Sequence, residues 1–253
     1  MVDWARDLAG IDTVVHSAAR THITGRAAHD SGTAFHAVNV DLTLAIARGA
    51  VAAGVRRLIF MSSAHVNGTR TDAAPFCAEM SPRPTNDYAR SKWAAERGLV
   101  VVARETGLEV VVIRPPLVIG RDPKGNLGAL VAAMRRGLPL PLGAVTGNRR
   151  DLVSLDTLAD LIVRAIDHPA APGAPLLVSD GHALSTRGVV ERLARLHGLT
   201  PRLVPVPVGF LSAGLQLSNR RSLAAQLLGN FEIDMGETCR RLDWQPPAGA
   251  QAA

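Results

Sequence analysis

The chain has 253 residues, 47% of them hydrophobic, 20% charged and 4% aromatic, with a net charge of +6. That is enough chain for one α/β domain, alone or with a small lobe, and its core must be built from Val, Leu, Ile and Ala. Two cysteines, Cys77 and Cys239, argue against a disulfide framework and a zinc site. Apolar runs such as "LEVVVI" are too short to span a bilayer, and "MVDWARDLAG" lacks the apolar stretch of a signal peptide. Arginines are scattered singly or in pairs with no interleaved aromatics, so nucleic acid is not an expected partner. The expectation is a soluble cytoplasmic protein, without metal, membrane or nucleic acid.

In chain order, residues 11–16 ("IDTVVH") read as a buried parallel strand that feeds the small residues "SAAR". Residues 33–53 carry helical periodicity, with Gly54 as the stop. "VRRLIFMSS" is the next strand, followed by a Pro-rich loop. Asn86 or Asp87 can cap a helix from near Tyr88 to about Thr106. "LEVVVIRPP" is a further strand. Past Gly120 the pattern loosens: a loop, a helix and a Pro-rich loop come first. "RRDLVSLDTLADLIVRAIDHP" then reads as a short strand and a helix, "PLLVSDG" as a strand and "STRGVVERLARLHG" as a helix. A helical segment over 208–228 precedes "LDWQPP" and an Ala/Gly tail. Strands alternating with helices predict a parallel α/β sheet.

The one tyrosine of the chain, Tyr88, stands four residues before Lys92. On a helix the two share a face, and a cation beside a phenol favours the phenolate. Such a tyrosine can work as a general acid/base near neutral pH. Ser63 sits at the C-terminal end of "LIFMSS", the edge where open α/β sheets bind ligands, so hydroxyl and phenol can converge on one substrate oxygen. His65, just past that strand, reads as structural rather than as an extra acid/base, and His16 as strand packing. Arg150 has the fork geometry for a diphosphate; Asp151 beside it is the alternative partner.

These pieces resemble the extended short-chain dehydrogenase/reductases of the NAD-dependent epimerase/dehydratase group. "VVHSAAR", "NVDLT", "FMSSAHVNG", "YARSK" and "IRPPLVIG" come in the order of that family, and "KGN" and "RRD" resemble its nucleotide-sugar segments. The resemblance implies an N-terminally truncated Rossmann-type doubly wound parallel sheet over residues 1–120. A C-terminal substrate-binding cap over 121–253 follows, with strands that return to the core sheet. It makes Ser63, Tyr88 and Lys92 the catalytic set. It assigns the cofactor to Ala18, Ala19, Arg20, Asn39, Ser62, Tyr88, Lys92, Pro115 and Leu117, and the substrate to Ser63, Asn126 and Arg150. NAD is the implied cofactor, with NADP open, and a UDP-sugar the implied small-molecule partner; members are often homodimers.

The resemblance is strongest to the branch that handles UDP-sugars for surface polysaccharides. It implies a UDP-glucose or UDP-N-acetylhexosamine 4-epimerase, or else a reductase of 4-keto deoxy-amino sugars. In the family's 4,6-dehydratases an Asp-Glu pair follows the catalytic threonine. Here Ala64 and His65 follow Ser63, so elimination of water is not expected. The family's glycine-rich phosphate turn has no counterpart in this sequence, and "IDTVVHSAA" resembles the family's fourth strand. Two readings follow: a longer enzyme of which these residues are a part, or a non-catalytic remnant or nucleotide-sugar binding module.

Overall fold

The computed structural model describes residues 2–21, 31–123, 125–218 and 220–248. The chain opens with α1 (Trp4–Asp7) and β1 (Thr13–His16). A helix then runs through α2 (Ser31–His36), a π-helical segment (Ala37–Asp41) and α3 (Leu42–Ala52). Next come β2 (Arg57–Met61), a 3₁₀ turn (Ala64–Val66), α4 (Asp87–Thr106), β3 (Glu109–Arg114) and β4 (Leu117–Ile119). The second half holds α5 (Gly125–Arg135), β5 (Pro139–Leu140), β6 (Leu152–Ser154), α6 (Leu155–Asp167) and β7 (Leu176–Leu177). It ends with α7 (Thr186–Leu196), β8 (Arg202–Leu203), α8 (Val208–Leu217), α9 (Arg221–Leu228) and α10 (Gly236–Leu242).

The main sheet is parallel throughout, in the order β1-β2-β3-β7. Its strands alternate between two buried faces, as the period of two requires. Leu58, Phe60, Val110 and Val112 pack under α3 and α4 with Ile46, Leu99 and Val102. Ile59, Met61, Val111 and Ile113 face the other way, against Leu158 and Leu161 of α6 and Leu242 and Trp244. Helices on both faces make this the doubly wound α/β sheet expected from the sequence. β1 lies at one end of it, with Val15 exposed.

A third core joins α5, α7, β5 and β8 through Leu127, Val131, Leu140, Val190 and Leu193. Helices α3 and α4 approach closely at Gly98: a Cβ there would stand 2.7 Å from Leu44. Gly107 ends α4 at a left-handed φ of 77°, where glycine carries no steric cost. Among the described residues no helix is long and apolar enough to cross a membrane.

Sequence periodicity places the long elements within a few residues. It does not separate α8 from α9; it gives β6 as a short strand but misses α1, α10, β4, β5 and β8, and with them the pairing of β4 with β6 and of β5 with β8. Segments of two or three residues are too short to show a period.

Arg57 carries a charge into the middle of this core, only 1% exposed. Its Nη1 donates to the carbonyls of Ala165, Ile166 and His168, at 2.7, 2.7 and 3.0 Å, so it closes the C-terminus of α6. Its Nε donates to Glu109 at 2.8 Å. We expect Arg57→Met to cost about 2–4 kcal/mol by orphaning those acceptors, a fall in Tm on the order of 10 °C. An unchanged melting curve would contradict this role.

Candidate active site

β2 ends at Met61, but its pairing with the β3 side continues. Ser62 N donates to Ile113 O at 2.8 Å and Ala64 N to Pro115 O at 2.9 Å, which fixes Ser63 between them. Ser63 is the N-cap of the 3₁₀ turn: its Oγ accepts the His65 N–H at 3.2 Å. Helix α4 begins beside this edge. Of the two predicted caps it uses Asn86, whose Oδ1 accepts the Ala89 N–H at 2.8 Å. One face of α4 then turns Tyr88, Lys92 and Glu96 toward the strand ends, spaced i, i+4, i+8.

The structure places Tyr88 close enough to Ser63 for the serine hydroxyl to act on the phenol's acidity. The Tyr88 ring meets Phe35 edge-on at 6.2 Å. Lys92 is 1% exposed; its Nζ donates to Met61 O at 2.8 Å and lies 4.6 Å from the Phe60 ring centroid. Burial pushes the Lys92 pKa down to about 8, against the opposing pull of Glu96. Burial raises the Tyr88 pKa above 10.0, and the bond with Ser63 is the effect that lowers it. The expectation that Lys92 sets the phenol's acidity therefore differs from the finding. The ammonium donates to the Met61 carbonyl, and Ser63 is the group that acts to lower the phenol's pKa.

Behind these residues lies a buried ion pair. Glu96 and Arg114 are bonded twice, Nε to Oε1 at 3.0 Å and Nη2 to Oε2 at 2.5 Å. Ser62 donates its hydroxyl to the same Glu96 oxygen. Arg114 Nη1 donates to Asn67 at 3.0 Å, and Asn67 donates to Cys77 O at 3.1 Å. Sequence reading missed this network. The available signals were Glu96 one turn past Lys92 and a lone arginine inside the apolar run "VVVIRPP".

Asn39 sits in the π-helical segment, fully buried. Its side chain accepts from Arg20 N at 2.8 Å and donates to Arg20 O at 3.0 Å and Ser91 Oγ at 2.9 Å. It thereby ties the loop after β1, with Ala18 and Ala19, to α4. A π-bulge is a common local device at functional positions. Pro115 is buried beside the serines, while Leu117 stands 38% exposed at the start of β4.

The expected substrate residues separate. Arg150 is near the site: it is desolvated, its pKa is lowered to about 10 by burial, and its charge is felt by His65. It donates to Gly229 O at 3.0 Å and lies 5.9 Å from the Phe231 ring. Asp151 is not its salt partner. That carboxylate accepts the Ile233 N–H at 2.7 Å, and no ion pair to Arg150 exists among the described residues. Asn126 is exposed at the start of α5 and donates to Gln226 of α9 at 2.9 Å; its contacts do not reach Ser63.

His16 and His65 are both held neutral, their pKa values lowered from 6.5 to about 4. Burial is the main cause, aided by Lys92 for His16 and by Arg150 for His65. His16 Nε2 is 2.9 Å from Thr43 Oγ1, and its ring stacks on Phe60, which is the packing role expected. A histidine whose folded pKa is depressed stabilises the fold fully above 6.5, and that stability is lost as pH falls toward about 4. The Tm should therefore drop between these limits, and a His16→Gln variant should show a shallower drop. An identical acid profile in that variant would exclude His16 as a contributor.

The profile of the NAD dependent epimerase/dehydratase family matches residues 2–178. The chain is 38% identical over 250 residues to a UDP-glucose 4-epimerase of Vibrio cholerae, an alignment covering 98% of this chain and 76% of that protein. Its fold is similar to that of the UDP-glucuronic acid 4-epimerase from Bacillus cereus, solved in complex with NAD. That match has a TM-score of 0.76 at 16% identity, over 98% of this chain and 72% of the other. It is likewise similar to RMD from Pseudomonas aeruginosa, solved with NADPH, with a TM-score of 0.73 at 23% identity over 95% and 78% of the two chains. With its doubly wound sheet and this match over most of its length, the chain belongs to the NAD dependent epimerase/dehydratase family of enzymes.

Proposed function

We propose that the chain is the catalytic part of an NAD-dependent nucleotide-sugar 4-epimerase of the UDP-glucose or UDP-N-acetylhexosamine type. The observation that carries this reading is the gathering of Ser63 and Tyr88 at the C-terminal edge of the sheet, the serine hydroxyl acting to lower the phenol's pKa, with Lys92 buried one turn farther along α4. The similarity to the Vibrio cholerae epimerase supports it. Residues 1–120 carry the cofactor side and residues 121–253 the nucleotide-sugar cap. A soluble cytoplasmic homodimer belongs to the same reading.

The cofactor residues fit a dinucleotide on chemistry. Arg20 Nε is buried without a hydrogen-bond partner among the described residues, a donor directed by the Asn39 clamp at the end of β1. Ala18 and Ala19 beside it are small enough for close approach. Lys92 supplies a further donor from α4, beside Ser62 at the end of β2. NADP fits the same set. When bound, NAD+ would accept hydride from the sugar C4 and return it to the opposite face.

The residues of the chain handle the proton and the charge. Tyr88 takes the proton of the sugar 4-hydroxyl and later restores it. Ser63 donates to the same oxygen, so that its developing charge is met by a fixed dipole. Lys92, charged below about 8, holds the local potential positive. Arg150 is a desolvated guanidinium with no carboxylate partner among the described residues, suited to a substrate diphosphate; Asn126 would contact the nucleotide from the cap.

The test is conversion of a UDP-hexose to its C4 epimer by the full chain with NAD+ added. Turnover without net change in the cofactor is the expected result. Stoichiometric reduction of the added NAD+, with a 4-keto sugar released, would replace the epimerase with a 4-keto sugar reductase running in reverse. Nucleotide-sugar binding without either reaction would favour a binding module.

A further inference from the structure

Ser63 is surrounded by hydrogen-bonding groups whose roles are mutually constrained. A hydroxyl has one proton and two lone pairs. One lone pair of Ser63 already accepts the His65 backbone N–H at 3.2 Å. The His65 ring returns to the same oxygen, with Nδ1 3.5 Å from Oγ. Tyr88 is the third neighbour, the phenol whose pKa the serine hydroxyl acts to lower. Two arrangements satisfy this set. If Nδ1 is bare, Ser63 donates to it, and Tyr88 must donate to Ser63. If Nδ1 carries the proton, both lone pairs of Ser63 are filled by His65, and the serine proton is free only toward Tyr88 and the substrate oxygen.

The surroundings separate these arrangements. The first is a relay that passes a proton from phenol through serine to imidazole, and it would end with a charged His65 beside Arg150. The His65 ring is packed against Phe231, with centroids 4.9 Å apart, and Phe231 in turn lies under Arg150. Among the described residues no carboxylate pairs with His65, and the like charge of Arg150 disfavours an imidazolium there. The second arrangement keeps His65 neutral throughout and makes Ser63 a donor, as stabilising an oxyanion requires.

We propose that His65 is a positioning residue: in its Nδ1–H tautomer, with its own backbone N–H, it saturates Ser63 as an acceptor and aims the serine proton at the reacting oxygen. This corrects the reading of His65 as merely structural, and it rests on the proposed roles of Ser63 and Tyr88. The tautomer can be measured without turnover.

Two-bond ¹H–¹⁵N correlation spectra of the full chain at neutral pH, with His65 assigned by its loss in His65→Asn, should show Nδ1 protonated and Nε2 bare. The Nε2–H tautomer would overturn the proposal whatever the enzyme's activity. Kinetics give the second arm. His65→Asn, whose amide reaches the position of Nδ1, should keep kcat. His65→Phe retains a ring against Phe231 without the donor and should lose kcat by about tenfold, the worth of one hydrogen bond, with KM unchanged. A fully active His65→Phe variant would overturn the proposal. Activity that survives Tyr88→Phe would instead bring down the function on which it rests.

Discussion

Replacing Tyr88 with Phe is expected to slow hydride transfer by about 10²–10⁴-fold, the usual worth of a positioned general acid/base, while Tm stays nearly constant. The change removes a single oxygen atom. The ring keeps its edge-on contact with Phe35, and the helix around it is held by the Asn86 cap and by Ala89, Ala95 and Leu99 in the core. What is lost is the phenol oxygen, on whose acidity Ser63 acts. Single-turnover cofactor absorbance measures the chemical step, and circular dichroism checks the fold. Full activity in this variant would remove Tyr88 from the mechanism.

The second large effect is expected at Glu96, which touches neither substrate nor cofactor in this account. Glu96→Gln keeps the shape but leaves Arg114 as a buried, unpaired cation; both side chains are under 5% exposed. Breaking one partner of such a pair costs about 3–5 kcal/mol, a Tm loss on the order of 10 °C. The double change Glu96→Leu with Arg114→Met should recover much of it, because no uncompensated charge remains. A second consequence is catalytic. Glu96 is the charge that raises the Lys92 pKa against burial. Without it the Lys92 pKa moves below about 8, so the alkaline limb of the activity profile should shift to lower pH. An unshifted limb would separate Glu96 from Lys92.

The sheet and the Ser63–Tyr88–Lys92 set were legible because long periodic elements and short spacings are local properties. "LIFMSS" and "YARSK" state in a few letters which strand end and which helix face hold the residues of the proposed chemistry. The Glu96–Arg114–Asn67 network was not legible, because its members come from three elements and meet only through the fold. The Met61 carbonyl that takes the Lys92 ammonium was hidden for the same reason: spacing places Lys92 on the right face, but its acceptor belongs to another element. Arg150 was found by its "RRD" context, yet that context also suggested Asp151 as a partner, and the backbone of Ile233 claims that carboxylate. Asn126, singled out beside "KGN", proves to be a rim residue bonded to α9.

The most direct measurement is the fate of deuterium at C4. The full chain would be incubated with NAD+ and a UDP-hexose deuterated at C4, and the product and any residual substrate read by mass spectrometry and NMR. Transient oxidation at C4 with Tyr88 as proton carrier predicts a C4 epimer that keeps its deuterium, formed with a primary isotope effect that is absent when the label sits at C3. Deuterium exchanged into solvent, or no isotope effect on a reaction that still proceeds, would contradict it.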